Sequence, residues 1–153
     1  YDPAWAHAHP RRAAWMSLAG PAANLFLVLM AGIAIRLGFA AGVFDAPASI
    51  TFDHLTTATQ AGLFETVATL LSVVFTLNLL LCIFNLIPLP PLDGSGALPL
   101  LLDDHSARRV MDAMRQPAFS IGGILVAWML IGRIFPAAHL LAINLLYPGM
   151  GYH

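Results

Sequence analysis

The chain has no lysine, one cysteine and one glutamate, and charged residues make up only 10% of its 153 positions. A soluble domain carries roughly 25% charged residues. That deficit, beside a 59% hydrophobic composition, excludes an ordinary water-facing surface and points to a membrane protein. The lone Cys82 lies inside an apolar run, so an intrachain disulfide is excluded and the redox compartment stays unread. Seven arginines against eight acidic residues give a formal net charge of −1, which offers no basis for a nucleic-acid partner. A charged leader followed by a short apolar core is also missing. The start at Tyr1 rather than Met therefore reads as a processed, cut or incomplete N-terminus, not as a signal peptide. There is no internal repeat and no low-complexity tract.

What the chain does have is long apolar runs. The first, Ala13 to Ile35, is uncharged over 23 residues; at about 1.5 Å each it reaches roughly 34 Å, enough for a hydrocarbon core of about 30 Å. Arg36 follows and can snorkel to the head groups. Pro21 cannot donate to the carbonyl of Ser17 and predicts a bend. Ser17, Gly20, Asn24 and Ala31 share one helical face, a pattern of close helix packing that accounts for Asn24 least well. The second run, Thr66 to Ile87, is uncharged and carries Asn78, Cys82 and Asn85 on one face. Both amides need partners at membrane depth, and Asn78 is expected to bond a neighbouring helix. The third region is interrupted by Arg133 and Pro136, which leaves one kinked helix or two segments open. The fold class is thus all-α: a polytopic transmembrane helical bundle of three or four apolar helices plus one interfacial amphipathic helix. The spans lie near 13–36, 64–87 and 118–147, within a single membrane-embedded domain over 1–153.

The connecting segments are asymmetric in charge. Arg11 and Arg12 precede the first span, Arg108, Arg109 and Arg115 follow the second, and 37–62 holds no Lys or Arg. The positive-inside rule then places the N-terminal segment and the 89–116 loop in the cytoplasm. Asp103 to Gln116 reads as the amphipathic helix, capped by Asp103, Asp104 or Ser106. Ala107, Val110, Met111 and Met114 form its apolar stripe, and Arg108 and Asp112 lie one turn apart. The 37–62 loop is shorter than an inserted domain of about 50 residues or more.

The most informative stretch is Asn85-Leu86-Ile87-Pro88-Leu89-Pro90-Pro91-Leu92-Asp93-Gly94. It sets a carboxylate behind a proline-stiffened turn directly after an apolar run. An ionised Asp at such depth costs about 2.5–3.5 kcal/mol or more unless a cation receives it. No Arg lies near Asp93 in sequence, so two readings stand: a metal ligand, or a plain cap of the next helix at the membrane surface.

Together with Phe84, that stretch resembles the N-x-x-P-x-x-x-x-D-G signature of the site-2 protease family of intramembrane zinc metalloproteases. Gly20-Pro21-Ala22-Ala23-Asn24 resembles the family's G-P-x-x-N segment, in the expected order, and His9-Pro10-Arg11-Arg12 suits the basic loop before it. The resemblance runs from about Pro3 to Tyr147. It implies that Asp93 is the third ligand of a Zn²⁺ ion and that Asn85 assists at the substrate carbonyl or its oxyanion. Pro88 and Pro90-Pro91 would shape the loop, while Asn24 and Gly94 belong to the motifs as substrate-binding or structural residues. The implied substrate is a transmembrane segment of a membrane-anchored protein. The chain departs from the family in lacking H-E-x-x-H, whose two His are ligands and whose Glu activates a water at the metal. Its only glutamate, Glu65, has no His beside it. The expectation is an N-terminally incomplete metalloprotease, inactive as written; the alternative is a non-catalytic scaffold or pseudoprotease without metal.

Other candidates carry less. His7 and His9 form an H-x-H pair but read as exposed loop residues, and His54, His105, His139 and His153 are scattered. Gly94-Ser95-Gly96 lacks the order of a rhomboid serine site, and no second membrane Asp accompanies Asp93. Two amides are too few polar groups for a transporter cavity. Trp5, Trp15 and Tyr147 suit interface anchoring, and Trp128 suits packing.

Overall fold

The computed structural model describes residues 3–152 apart from 104, 107, 108, 111 and 113–115, with the backbone alone for 3, 4, 7, 117 and 118. Two short helices, α1 (Pro3–Ala8) and α2 (Pro10–Ser17), lead into α3 (Ala19–Ala40). Pro10 stands at the start of α2, where a missing N–H is harmless. The chain leaves the helical ladder only at Leu18, because Pro21 has no N–H for the Ser17 carbonyl. Leu18 N–H still donates to Ala14 and Ala22 N–H to Leu18, so the expected bend is a one-residue break.

Helix α4 (Leu63–Leu86) crosses back, and after α5 (Asp93–Ala97) and a 3₁₀ turn (Leu98–Leu100) comes α6 (Pro117–Leu146). Pro10–Ala40, Leu63–Leu86 and Phe119–Leu146 are each long and apolar enough to span a membrane. Helix α6 runs unbroken through Arg133 and Pro136, so the third region is one helix rather than two segments. Its outer side chains stay bare: Trp128 is 73% exposed, a surface aromatic and not the packing residue its position suggested. Exposure of this kind over three long helices suits lipid rather than water.

Contacts divide the chain into two compact units, Tyr1–Ala23 with Leu81–Arg133, and Asn24–Leu80 with Ile134–His153; each long helix contributes to both. In the second unit, Val28, Ile35, Leu55, Phe75, Ile143 and Tyr147 form the core. The 37–62 connection folds onto it through a minimal hairpin, β1 (Phe44–Asp45) against β2 (Thr57–Ala58). Gly42 at φ +71° and Gly62 at φ +110° make the turns at its ends, a backbone region that other residues enter at a cost. Ser72 in α4 accepts the Leu55 N–H at 3.0 Å and donates to the Ala68 carbonyl at 2.8 Å, which satisfies a buried amide of the loop. The guanidinium of Arg36 donates to the Leu146 carbonyl at 2.9 Å, one of the orphan acceptors at the end of α6. Asn78 donates to Val74 of its own helix at 2.8 Å rather than to a neighbour, a correction to its expected role.

In the first unit, Ile87, Leu92 and Ala127 form a small core with Phe84 and Leu89 around it. Asp103 accepts from the His105 and Ser106 amides, both at 3.1 Å, so it is a cap of the segment that follows. Its bonds with Ser106 hold its carboxyl below the ordinary value. Val110 is half-buried and Asp112 exposed, while Asp104, Ala107, Arg108, Met111 and Met114 lie outside the described residues.

Candidate active site

Asn85 stands in the last turn of α4, and three prolines then steer the chain back on itself. Leu89 N–H donates to the Ile87 carbonyl at 2.8 Å across Pro88, and Leu92 N–H donates to Leu89 at 2.9 Å across Pro90-Pro91, whose peptide bond is cis. The turn delivers Asp93 as the first residue of α5, with Leu92 as its N-cap. Ser95 ties the start of α5 down, donating to the Leu92 carbonyl from its amide at 3.0 Å and from its hydroxyl at 2.7 Å. The Asp93 side chain makes no capping bond. Among the described residues its carboxylate has no hydrogen bond or ion pair of any kind. The plain cap is therefore not what this Asp does.

Glycines let the loop pack this closely. Gly94 is buried against the end of α4, where a Cβ would meet the carbonyls of Leu86 and Ile87. Gly96 leaves room for the Ser17 hydroxyl, consistent with the packing of α2 on α5 and on the 3₁₀ turn. Gly123 of α6 receives the Pro90 carbonyl, while Gly122 meets nothing within 4 Å among the described residues. On the remaining side the Asp93 carboxylate lies over Gly20, so the two motif segments meet.

The result is a half-buried carboxylate in the wall of a cleft of about 450 Å³, lined by Met16, Ser17, Pro91, Leu92, Asp93, Ser95 and Gly96. Asn85 is half-buried with no side-chain hydrogen bond among the described residues, and neither it nor exposed Pro88 lines this cleft. Asn24 falls in the second unit, half-buried. Gly96 and Gly123 are packing positions that sequence reasoning did not tie to the site. Their signal was only glycine itself beside the D-G pair and in an apolar helix.

Asp93 suits one position of a zinc site, being unpaired and open to a cleft. Among the described residues no group of three His, Cys, Asp or Glu is placed to hold an ion, so they offer that one ligand and not a set. His9 stacks on Trp5 at 5.0 Å, and the side chain of His7 lies outside the described ones. His54 pairs with Asp53 at 3.3 Å, and His139 stacks on Phe135 at 5.2 Å.

A family model for peptidase family M50, the site-2 protease family, matches residues 2–130. The chain belongs to that family. Comparisons with curated proteins and with solved structures return no match. The M50 match takes in both Gly20-Pro21 and the segment from Asn85 to Gly94, and it ends within α6. Membership makes this an M50 peptidase-family chain with three membrane-length helices, of the intramembrane metalloprotease type.

Proposed function

We propose that this M50 chain supplies the third zinc ligand and the carbonyl-binding amide of an intramembrane protease that cuts transmembrane segments of membrane-anchored proteins. The observation that carries the reading is the Asp93 carboxylate, half-buried in the wall of its cleft and without a hydrogen bond or ion pair among the described residues, a position that a cation would suit. The ion, when bound, would supply Lewis acidity and a nucleophile competent at neutral pH. Two more ligands and the general base have to come from residues other than those described. Asp93 holds its share of the ion's coordination, and the proline turn with the Leu92–Ser95 bonds fixes where that carboxylate points. Asn85 offers its amide N–H to the scissile carbonyl oxygen, where charge builds as the bond is attacked.

The test is Asp93→Asn in the natural protein, purified in detergent, with zinc counted by mass spectrometry and cleavage followed on a membrane-anchored substrate. The amide keeps the shape and removes the charge, so both zinc and cleavage should be lost. A wild-type protein without zinc, and indifferent to the change, would favour the metal-free scaffold instead.

A further inference from the structure

Gly20 differs from Gly94 and Gly123, whose missing side chains make room for backbone, and from Gly96, which makes room for the short Ser17 side chain: it faces the end of a carboxylate. A Cβ placed on it would lie 2.7 Å from Asp93 Oδ2 and 3.7 Å from Asp93 Cγ, and no other atom of the described residues beyond its own turn of helix comes within 4 Å. Carbon and oxygen that are not bonded settle at about 3.3 Å or more even in favourable C–H···O contacts. The carboxylate thus occupies the place a side chain at position 20 would take. At Gly94 the atoms in the way are backbone carbonyls, which cannot move without moving α4 and the loop. At Gly20, among the described residues, what stands in the way is the free end of a two-torsion side chain. A methyl group there leaves the helix intact and improves its intrinsic propensity. It evicts the carboxylate alone.

We propose that Gly20 is a positioning residue: by presenting a bare Cα it gives the Asp93 carboxylate the seat it occupies in the cleft wall, where it acts as a metal ligand. This rests on the reading of Asp93 as a zinc ligand. Ligand distances in zinc sites are held to about 0.2 Å, whereas a methyl at position 20 must push Oδ2 away by several tenths of an ångström. The glycine of the Gly20-Pro21 pair then has a task separable from the Pro21 break beside it.

The experiment uses the natural protein in detergent and compares wild type, Gly20→Ala, Gly122→Ala, Asp93→Asn, Asp93→Ala and Gly20→Ala/Asp93→Ala. Zinc affinity is read by competition with a chelator, the ligand field by Co²⁺ absorption, and the fold by thermal unfolding of the metal-free form. Gly20→Ala is expected to weaken zinc at least tenfold and shift the Co²⁺ bands, with the metal-free midpoint unchanged or raised. Gly122→Ala, with open space at its Cβ, should match wild type in affinity and spectrum. Should Gly20→Ala lower the midpoint, cutting Asp93 back to Ala must restore tolerance of the methyl. An equal loss in that background means a structural glycine and overturns the proposal. Wild-type affinity in Gly20→Ala while Asp93→Asn loses zinc overturns it as well. Zinc retained in Asp93→Asn overturns the ligand reading itself, and this inference with it.

Discussion

Asn85 and Asp93 share one short segment but differ in what their side chains are free to do. Neither makes a side-chain hydrogen bond among the described residues, and only Asp93 lines the cleft. If Asn85 acts on the substrate oxygen and not on the metal, Asn85→Ala separates the two functions. Zinc content should stay at the wild-type level while turnover of a membrane-anchored substrate falls about 10²–10³-fold, the usual loss for one oxyanion donor. Zinc lost together with activity would assign Asn85 to holding the loop instead. At this scale the sequence was most readable where chemistry and spacing agreed. An acidic residue after a proline turn at membrane depth has few uses, so Asp93 stood out. Asn78 misled because its amide had a partner one turn back in its own helix, an option that residue spacing does not reveal.

The elements were legible as spans and much less so as contacts. Uncharged runs of membrane length located α3 and α4, and Pro21 marked a real interruption. Helix α6 was ambiguous because Arg133 and Pro136 break its apolar run. The helix nevertheless passes through, since an exposed Arg can snorkel and the carbonyl freed by a proline is tolerated in a membrane helix. How α6 holds the proline turn was not legible, because a glycine pair does not say which member faces a neighbour. The structure distinguishes them: a Cβ on Gly123 would run into the Pro90 carbonyl, while Gly122 is open. Gly123→Ala should therefore destabilise the protein by about 1–3 kcal/mol, the usual cost of forcing a group into a packed site. Gly122→Ala should be neutral or stabilising by up to about 1 kcal/mol. Thermal unfolding of the two variants side by side reads the difference. Equal midpoints would mean the turn is not held by α6 at this point.

At the scale of the whole molecule the governing fact is the uneven distribution of arginine. Arg11, Arg12 and the group at 108–115 flank two spans whose intervening loop, 37–62, has no cation. Arg36, at the mouth of that loop, keeps its charge while it donates to the Leu146 carbonyl, but it is one cation against the five at 11, 12, 108, 109 and 115. Lys and Arg near span ends resist translocation, and the asymmetry therefore predicts that 37–62 faces out while the proline turn and Asp93 lie toward the cytoplasm. Single cysteines in a Cys82→Ala background test this, since buried Cys82 is the chain's only thiol. Phe52→Cys reports on the loop and Leu101→Cys on the segment after α5; the native side chains are 43% and 83% exposed, so both sites are reachable. A membrane-impermeant maleimide added to intact cells should label Phe52→Cys at once and Leu101→Cys only after the membrane is opened. The reverse pattern would invert the protein in the bilayer. Equal labelling of both from outside would remove the crossing by α4, and with it the membrane depth that makes an unpaired Asp93 carboxylate costly.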